Sequence, residues 1–217
     1  MMLDVKTVQT LKAFAMINPS LLFKPGNVIK TISPAKTILA KATVPTTFDR
    51  EFAIYDLTRF LGAYSMFEEA ELDFGERAVR IGTSKESINY LYAEPACIVV
   101  APDKELPVDN PIVEFDLSTD VLQRTMKALS MIGAPEVSVT GRDGTVYLEA
   151  IDSKNSSSST YQVELGSTDK SFRLIMSADK LKLLPCDYKV GITDRFAYFR
   201  APDIEYWIVL EANSTVD

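Results

Sequence analysis

One element order runs through this chain twice, and that constrains its fold more than any single motif. Each half opens with a long amphipathic stretch, continues through a hairpin and further strands into a short helix, and closes with antiparallel strands. Landmarks recur in step. The first helix ends at Ile17-Asn18 and again at Ile132-Gly133. A hairpin glycine follows, Gly26 and Gly144. A strand runs directly into a helix around Asp56 and Asp179. Late aromatic strands carry Tyr90 and Tyr206. The four separations are 115, 118, 123 and 116 residues. Spacing this even without strong residue identity reads as a duplicated supersecondary unit. Residues 102–111 (PDKELPVDNP), with three prolines and no periodicity, are the natural connector. The expected layout is a first domain over 1–101, the connector over 102–111 and a second domain over 112–217.

Helical periodicity appears in four stretches. Val5, Val8, Leu11 and Ala15 share a face in 4–17, with Phe14 beside them. Leu57, Phe60, Leu61 and Tyr64 form the stripe of 56–67. Val121, Leu122, Thr125, Leu129 and Ile132 form that of 118–132. A short fourth helix is expected over 178–184, with Leu181 and Leu184 inward. Between them lie strand-like runs. Arg142-Asp143-Gly144, between 136–141 and 145–151, is a strong hairpin signal. The expected fold class is α+β: two similar domains, each with two helices packed on one side of antiparallel sheet.

The chain has no histidine, which removes the commonest general base and metal ligand. Phosphate-loop, dinucleotide and nucleophile-elbow motifs are missing too. Ser167-Thr168-Asp169-Lys170 matches a serine–lysine nucleophile pattern but falls in an expected hairpin turn without its companion motifs, so it reads as a decoy. Cys97 and Cys186 are far apart and read as free thiols. No signal peptide is evident, and no apolar run approaches the roughly 18 residues that span a bilayer. Catalysis, a cofactor and a membrane partner are therefore not expected.

A net charge of −7, from 30 acidic and 23 basic residues, argues against a domain that grips nucleic acid by neutralising phosphates. The charge is unevenly placed, however. The four expected helices hold seven basic residues, Lys6, Lys12, Arg59, Arg124, Lys127, Lys180 and Lys182. Their four acidic residues, Asp4, Asp56, Asp120 and Asp179, all sit at helix N-termini, where a carboxylate caps backbone N–H groups and complements the dipole. A basic surface built from helices on an acidic protein suits a molecule that surrounds DNA rather than clasping it, since a topological link needs few phosphate contacts. Scattered lysines on solvated helix faces are the plainer reading of any one of these residues.

Several segments resemble the T-even-type bacteriophage DNA polymerase sliding clamp (processivity factor) family. They are LKAFAMINPSLLFKPGNVIKT (11–31), DREFAIYDLTRFLGAY (49–64), VVAP (99–102) and YWIVLEANSTVD (206–217). The resemblance implies the DNA clamp fold, closed into a homotrimeric ring with helices lining the hole. The ring would encircle duplex DNA without sequence preference. It would be loaded by a clamp loader, tether the replicative DNA polymerase and contact a late-transcription sigma-type factor and its co-activator, in the cytoplasm of an infected bacterial host. Twelve helices spaced roughly 10 Å apart would enclose a hole of about 28 Å, against roughly 15 Å for eight, too narrow for a duplex. The resemblance also implies ring closure by edge strands, SINYLYA (87–93) against TYQVELG (160–166). Tyr90, Tyr92, Tyr161 and Val163 are the interface candidates, or else ordinary core residues. The family position matched by Tyr90 is often tryptophan, whereas the single tryptophan here is Trp207. A partner-peptide pocket beside the connector would draw on Leu106, Val108 and Val209, unless these pack within the chain. A non-enzymatic phage structural or assembly protein is the alternative reading, and a carboxylate hydrolase a weaker third.

Overall fold

The computed structural model describes residues 1–104 and 106–217; Glu105, inside the expected connector, lies outside the described residues. The chain divides into two units, Met1–Lys104 and Glu105–Asp217.

In the first unit, α1 (Val5–Ile17) starts where Asp4 Oδ1 accepts the Lys6 N–H at 2.8 Å. Its buried face runs through Thr7, Thr10, Leu11, Phe14 and Ile17. Val5, expected on that face, is 71% exposed. Thr7 takes the inward position instead, because its hydroxyl donates to Thr46 Oγ1 at 2.9 Å, a polar tie that hydropathy periodicity does not register. The strands are β1 (Leu21–Phe23), β2 (Gly26–Ile32), β3 (Ile38–Phe48) and β4 (Phe52–Ile54). After α2 (Leu57–Ser65) come β5 (Glu71–Phe74), β6 (Ala78–Gly82) and β7 (Ser87–Leu91). β1 pairs with β4, β2 with β3, and β5-β6-β7 form a three-stranded antiparallel sheet. Phe23 stacks on Phe52 at 4.4 Å between ring centroids, with Phe48 and Phe74 around them, and this aromatic cluster anchors the short β1–β4 pair. Gly26 does not turn a hairpin. It sits at a register shift against β3 with φ of 112°, and the β2–β3 turn lies at Pro34-Ala35-Lys36.

The second unit contains β8 (Val113–Leu117), α3 (Thr119–Ile132), β9 (Glu136–Arg142), β10 (Thr145–Ile151), β11 (Tyr161–Ser167) and β12 (Phe172–Ser177). It ends with β13 (Tyr188–Ile192), β14 (Phe196–Ala201), β15 (Ile204–Val209) and the two-residue β16 (Thr215–Val216). Ser118 caps α3, and Gly133 closes it in the left-handed conformation at φ of 65°. One sheet has the order β11-β10-β9-β12-β16, and β8, β13, β14 and β15 pair in sequence in another. Asp143-Gly144 turns the β9–β10 hairpin with both φ values positive. The Ser167–Lys170 stretch is not the expected hairpin turn. β11 and β12 are separated by two strands, in Greek-key order, and the connection crosses the β9–β10 tip, where the Thr168 N–H donates to Gly144 O at 3.0 Å. The crossing requires glycine at 141, where a Cβ would stand 2.6 Å from Lys170 O.

Among the described residues the second unit has one α-helix, not two. The expected helix over 178–184 is a three-residue 3-10 turn, Ala178–Lys180, followed by irregular chain to Pro185, in which the Lys182 N–H donates back to Lys180 O at 2.9 Å. Ser177 makes no cap bond because its hydroxyl donates to Asp179 Oδ1. A run of seven residues ahead of a proline has too few intrahelical bonds to offset helix nucleation. Lys180 and Lys182 are therefore not on an α-helix, and the estimate of the hole from four helices per copy no longer applies.

Candidate functional site

Three surfaces are candidates for function: the helix faces, the outermost sheet strands and the grooves of the second unit. On the helices, Lys6, Lys12, Arg59, Arg124 and Lys127 are all exposed. Arg59 pairs with its own cap, Asp56, at 3.1 Å, and Arg124 pairs with Asp120 one turn earlier. α1 and α2 contain no acidic residue, and α3 contains only Asp120. The three helices carry five basic and one acidic residue, a net +4, so the rest of the chain carries −11 to reach −7. Lys180 differs from these. Its side chain is 15% exposed and its ammonium is bound to Glu211 at 2.6 Å and to Val209 O at 3.2 Å. Lys182 is half-buried.

β7 and β11 are each the outermost strand of their sheets among the described residues. In β7, Ser87, Asn89 and Leu91 are exposed while Ile88 and Tyr90 are half-buried. Tyr90 turns back onto its own unit: its hydroxyl donates to Asp56 O at 2.8 Å and its ring meets Phe60 edge-on at 5.5 Å. Burial raises its pKa, with the Asp56 carboxylate adding to the rise and Arg59 opposing it. Tyr92, just past β7, packs on Phe52 and donates to Gly75 O. In β11, Tyr161, Val163 and Leu165 are half-buried and Gln162 and Glu164 exposed. Beside it, on β10 and β9, lies a polar network that sequence reading missed. Glu149 accepts from Thr140 at 2.6 Å, Arg142 at 2.8 Å and Ser138 at 3.1 Å, and Arg142 also donates to Gln162 of β11 at 3.0 Å. Burial alone pushes the Glu149 carboxyl up, but these hydrogen bonds and the guanidinium charge outweigh it and hold the pKa below the usual range.

Of the three expected pocket residues, Val108 lines a groove of about 540 Å³ with Glu114, Phe115, Lys189, Gly191, Tyr198 and Arg200. Leu106 and Val209 are exposed and are not brought to it. The connector packs over Gly191, where a Cβ would stand in ordinary contact with Pro111 and Val108, at 3.7 and 3.8 Å. A wider groove of about 790 Å³ shares Asp116, Lys189 and Arg200 and continues to Val121 and Leu165. The usable signal was strand alternation. Lys189, Arg200 and Glu205 stand opposite one another across β13, β14 and β15, so all three share one face.

The fold is that of the DNA clamps. A. fulgidus PCNA, solved with the C-terminal region of FEN-1 bound, superposes with a TM-score of 0.70 at 12% identity, covering 99% of this chain and 98% of that one. The Helicobacter pylori beta clamp bound to a DNA ligase peptide gives 0.66 at 15% identity, covering 100% of this chain and 67% of that one. Sequence narrows the class. A family described as DNA polymerase processivity factor matches residues 4–99, and one described as gp45 sliding clamp, C terminal, matches 114–212. The sliding clamp of Vibrio phage KVP40 is 32% identical over 220 residues, covering 98% of this chain and 100% of that protein. That of Enterobacteria phage T4 is 28% identical over 228 residues, covering 100% of both. The chain belongs to the phage sliding clamp family, the DNA polymerase processivity factors.

Proposed function

We propose that three copies of this chain close a ring around duplex DNA, with β7 of one copy pairing with β11 of the next. The opposite charges of the helices and the rest of the chain carry this reading. A wall of net +4 per copy draws in the phosphate backbone, while the acidic remainder keeps DNA off the outside. Arg124 is already paired with Asp120 of its own helix, and Arg59 with Asp56, the cap just ahead of its helix, so the attraction is weak enough to permit sliding. Lys6, Lys12, Arg59, Arg124 and Lys127 face the DNA; Lys180, tied to Glu211, supports the fold instead.

At the proposed joint, Tyr161 and Val163 meet the neighbouring copy, and Tyr90 and Tyr92 brace β7 from behind. The groove floored by Gly191 and Tyr198 beside Val108 takes a short peptide from the DNA polymerase. The clamp loader, the late-transcription sigma-type factor and its co-activator use the same surface in turn. The protein works without catalysis or a cofactor, in the cytoplasm of the infected bacterium.

Light scattering over a concentration series tests the ring: the mass should plateau at three times 24.1 kDa. Arg124→Glu with Lys127→Glu should leave that plateau unchanged and abolish processive synthesis with polymerase and loader. A strict monomer or dimer, or unchanged processivity in the double variant, would move the assignment to a structural or assembly protein.

A further inference from the structure

Each sheet that ends in a proposed pairing strand has a second edge, and the chain covers that edge with its own residues. In β5-β6-β7, the outer side of β5 is met by Met1. The Leu72 N–H donates to Met1 O at 2.7 Å, and the Met1 amino group donates to Leu72 O at 2.9 Å. In the β11-to-β12 sheet, residues 211–217 run along β12. β16 sets Val216 opposite Phe172 and Thr215 opposite Arg173. The Asp217 N–H donates to Ser171 O at 3.1 Å, and the Glu211 N–H to Ile175 O at 2.8 Å. Between these points the backbone turns, with Ser214 N–H donating to Glu211 O, and the Ser214 hydroxyl accepts the Ile175 N–H at 2.9 Å. An edge strand offers outward polar groups at every second residue, and the covered positions 171 and 175 lie in that phase.

We infer that Met1 and residues 211–217 are edge guards, which leave β7 and β11 as the open edges of these two sheets for a second copy of this chain. An unpaired edge accepts any other strand, so a chain with four such edges would pair head-to-head, tail-to-tail and into open arrays. With two open edges of different shape, association runs head-to-tail and can close. Other outer strands are protected differently: β8 exposes Glu114 and Asp116, and β2 is bulged between Gly26 and Val28. The inference rests on the proposed ring only for which strands pair, since the covering of β5 and β12 is independent of it.

The test uses the full chain carrying Ser214→Ala and Thr215→Pro, which removes the hydroxyl on Ile175 and an N–H directed at β12. Hydrogen exchange at Arg173 and Ile175 should quicken, and the light-scattering mass should climb past the wild-type plateau as concentration rises. Adding Arg173→Pro, which removes an outward N–H of β12 without touching its ladder to β9, should restore the plateau. Faster exchange with a wild-type mass would overturn the inference. So would unchanged exchange, or a climb that persists with Arg173→Pro. If circular dichroism shows the double variant unfolded, Ser214→Ala alone is read by the same two measurements. A wild-type chain that stays monomeric would sink the ring, while any rise of the variant above that monomer would still report the guard.

Discussion

The strand-to-helix crossings of the two units start alike and end differently. At β4–α2 and at β12–Ala178, a buried strand leads straight into a segment with an aspartate near its start. In the first, Asp56 accepts the Arg59 N–H at 2.9 Å, and Leu57, Phe60 and Leu61 are buried along nine helical residues. In the second, Asp179 is occupied by Ser177, Leu181 is the one residue of 178–184 that is buried, and Lys180 is drawn to Glu211. The first unit holds this element by a capped apolar helix and an aromatic cluster; the second relies on polar ties between distant residues. An aspartate at the right place does not make a helix unless its carboxylate is available and the following turns have an apolar face to bury.

The largest test of that contrast is deletion of the inward side chains. Phe60→Ala should cost roughly 3–5 kcal/mol and Leu181→Ala closer to about 2 kcal/mol, read by chemical denaturation. Equal losses would mean the two elements contribute alike. Next is the polar network of the second unit. Glu149→Gln removes a buried charge-assisted hydrogen bond to Arg142 and should cost about 1.5–3 kcal/mol at neutral pH. Because the folded-state pKa of Glu149 is depressed, its contribution is present above the ordinary carboxylate pKa and is lost as pH falls through the folded value. The variant should therefore show a shallower loss of stability on acidification; an identical acid limb would remove Glu149 from the account. The smallest effect compares the two aspartates. Asp56→Ala should cost about 1 kcal/mol as a lost cap, and Asp179→Ala should stay within about 0.5 kcal/mol. A larger loss at 179 would show that Ser177–Asp179 supports the turn more than its exposure suggests.

Much of this was legible along the chain. α1, α2 and α3 follow from caps and apolar spacing, since both act within one or two turns. The Asp143-Gly144 hairpin follows from residues that tolerate positive φ, and the candidate edges, 87–93 and 160–166, from the family resemblance. The misreadings share a cause. Thr7 displaced Val5 from the buried face of α1 because of Thr46, 39 residues away. The fourth helix was lost partly to Glu211, 31 residues from Lys180.

The sequence by itself determined the α+β class, the charged faces of three helices and, through segment resemblance, the clamp family. These depend on local periodicity, on capping chemistry and on residue order. Tertiary structure alone decided that β11 and β12 stand two strands apart, that Glu149 is held ionised beside β11, and that Met1 covers one edge of the β5-β6-β7 sheet and residues 211–217 one edge of the sheet that begins at β11. Those outcomes depend on hydrogen bonds between residues far apart in the chain. A backbone N–H or carbonyl carries no mark in the sequence of which distant strand it will meet.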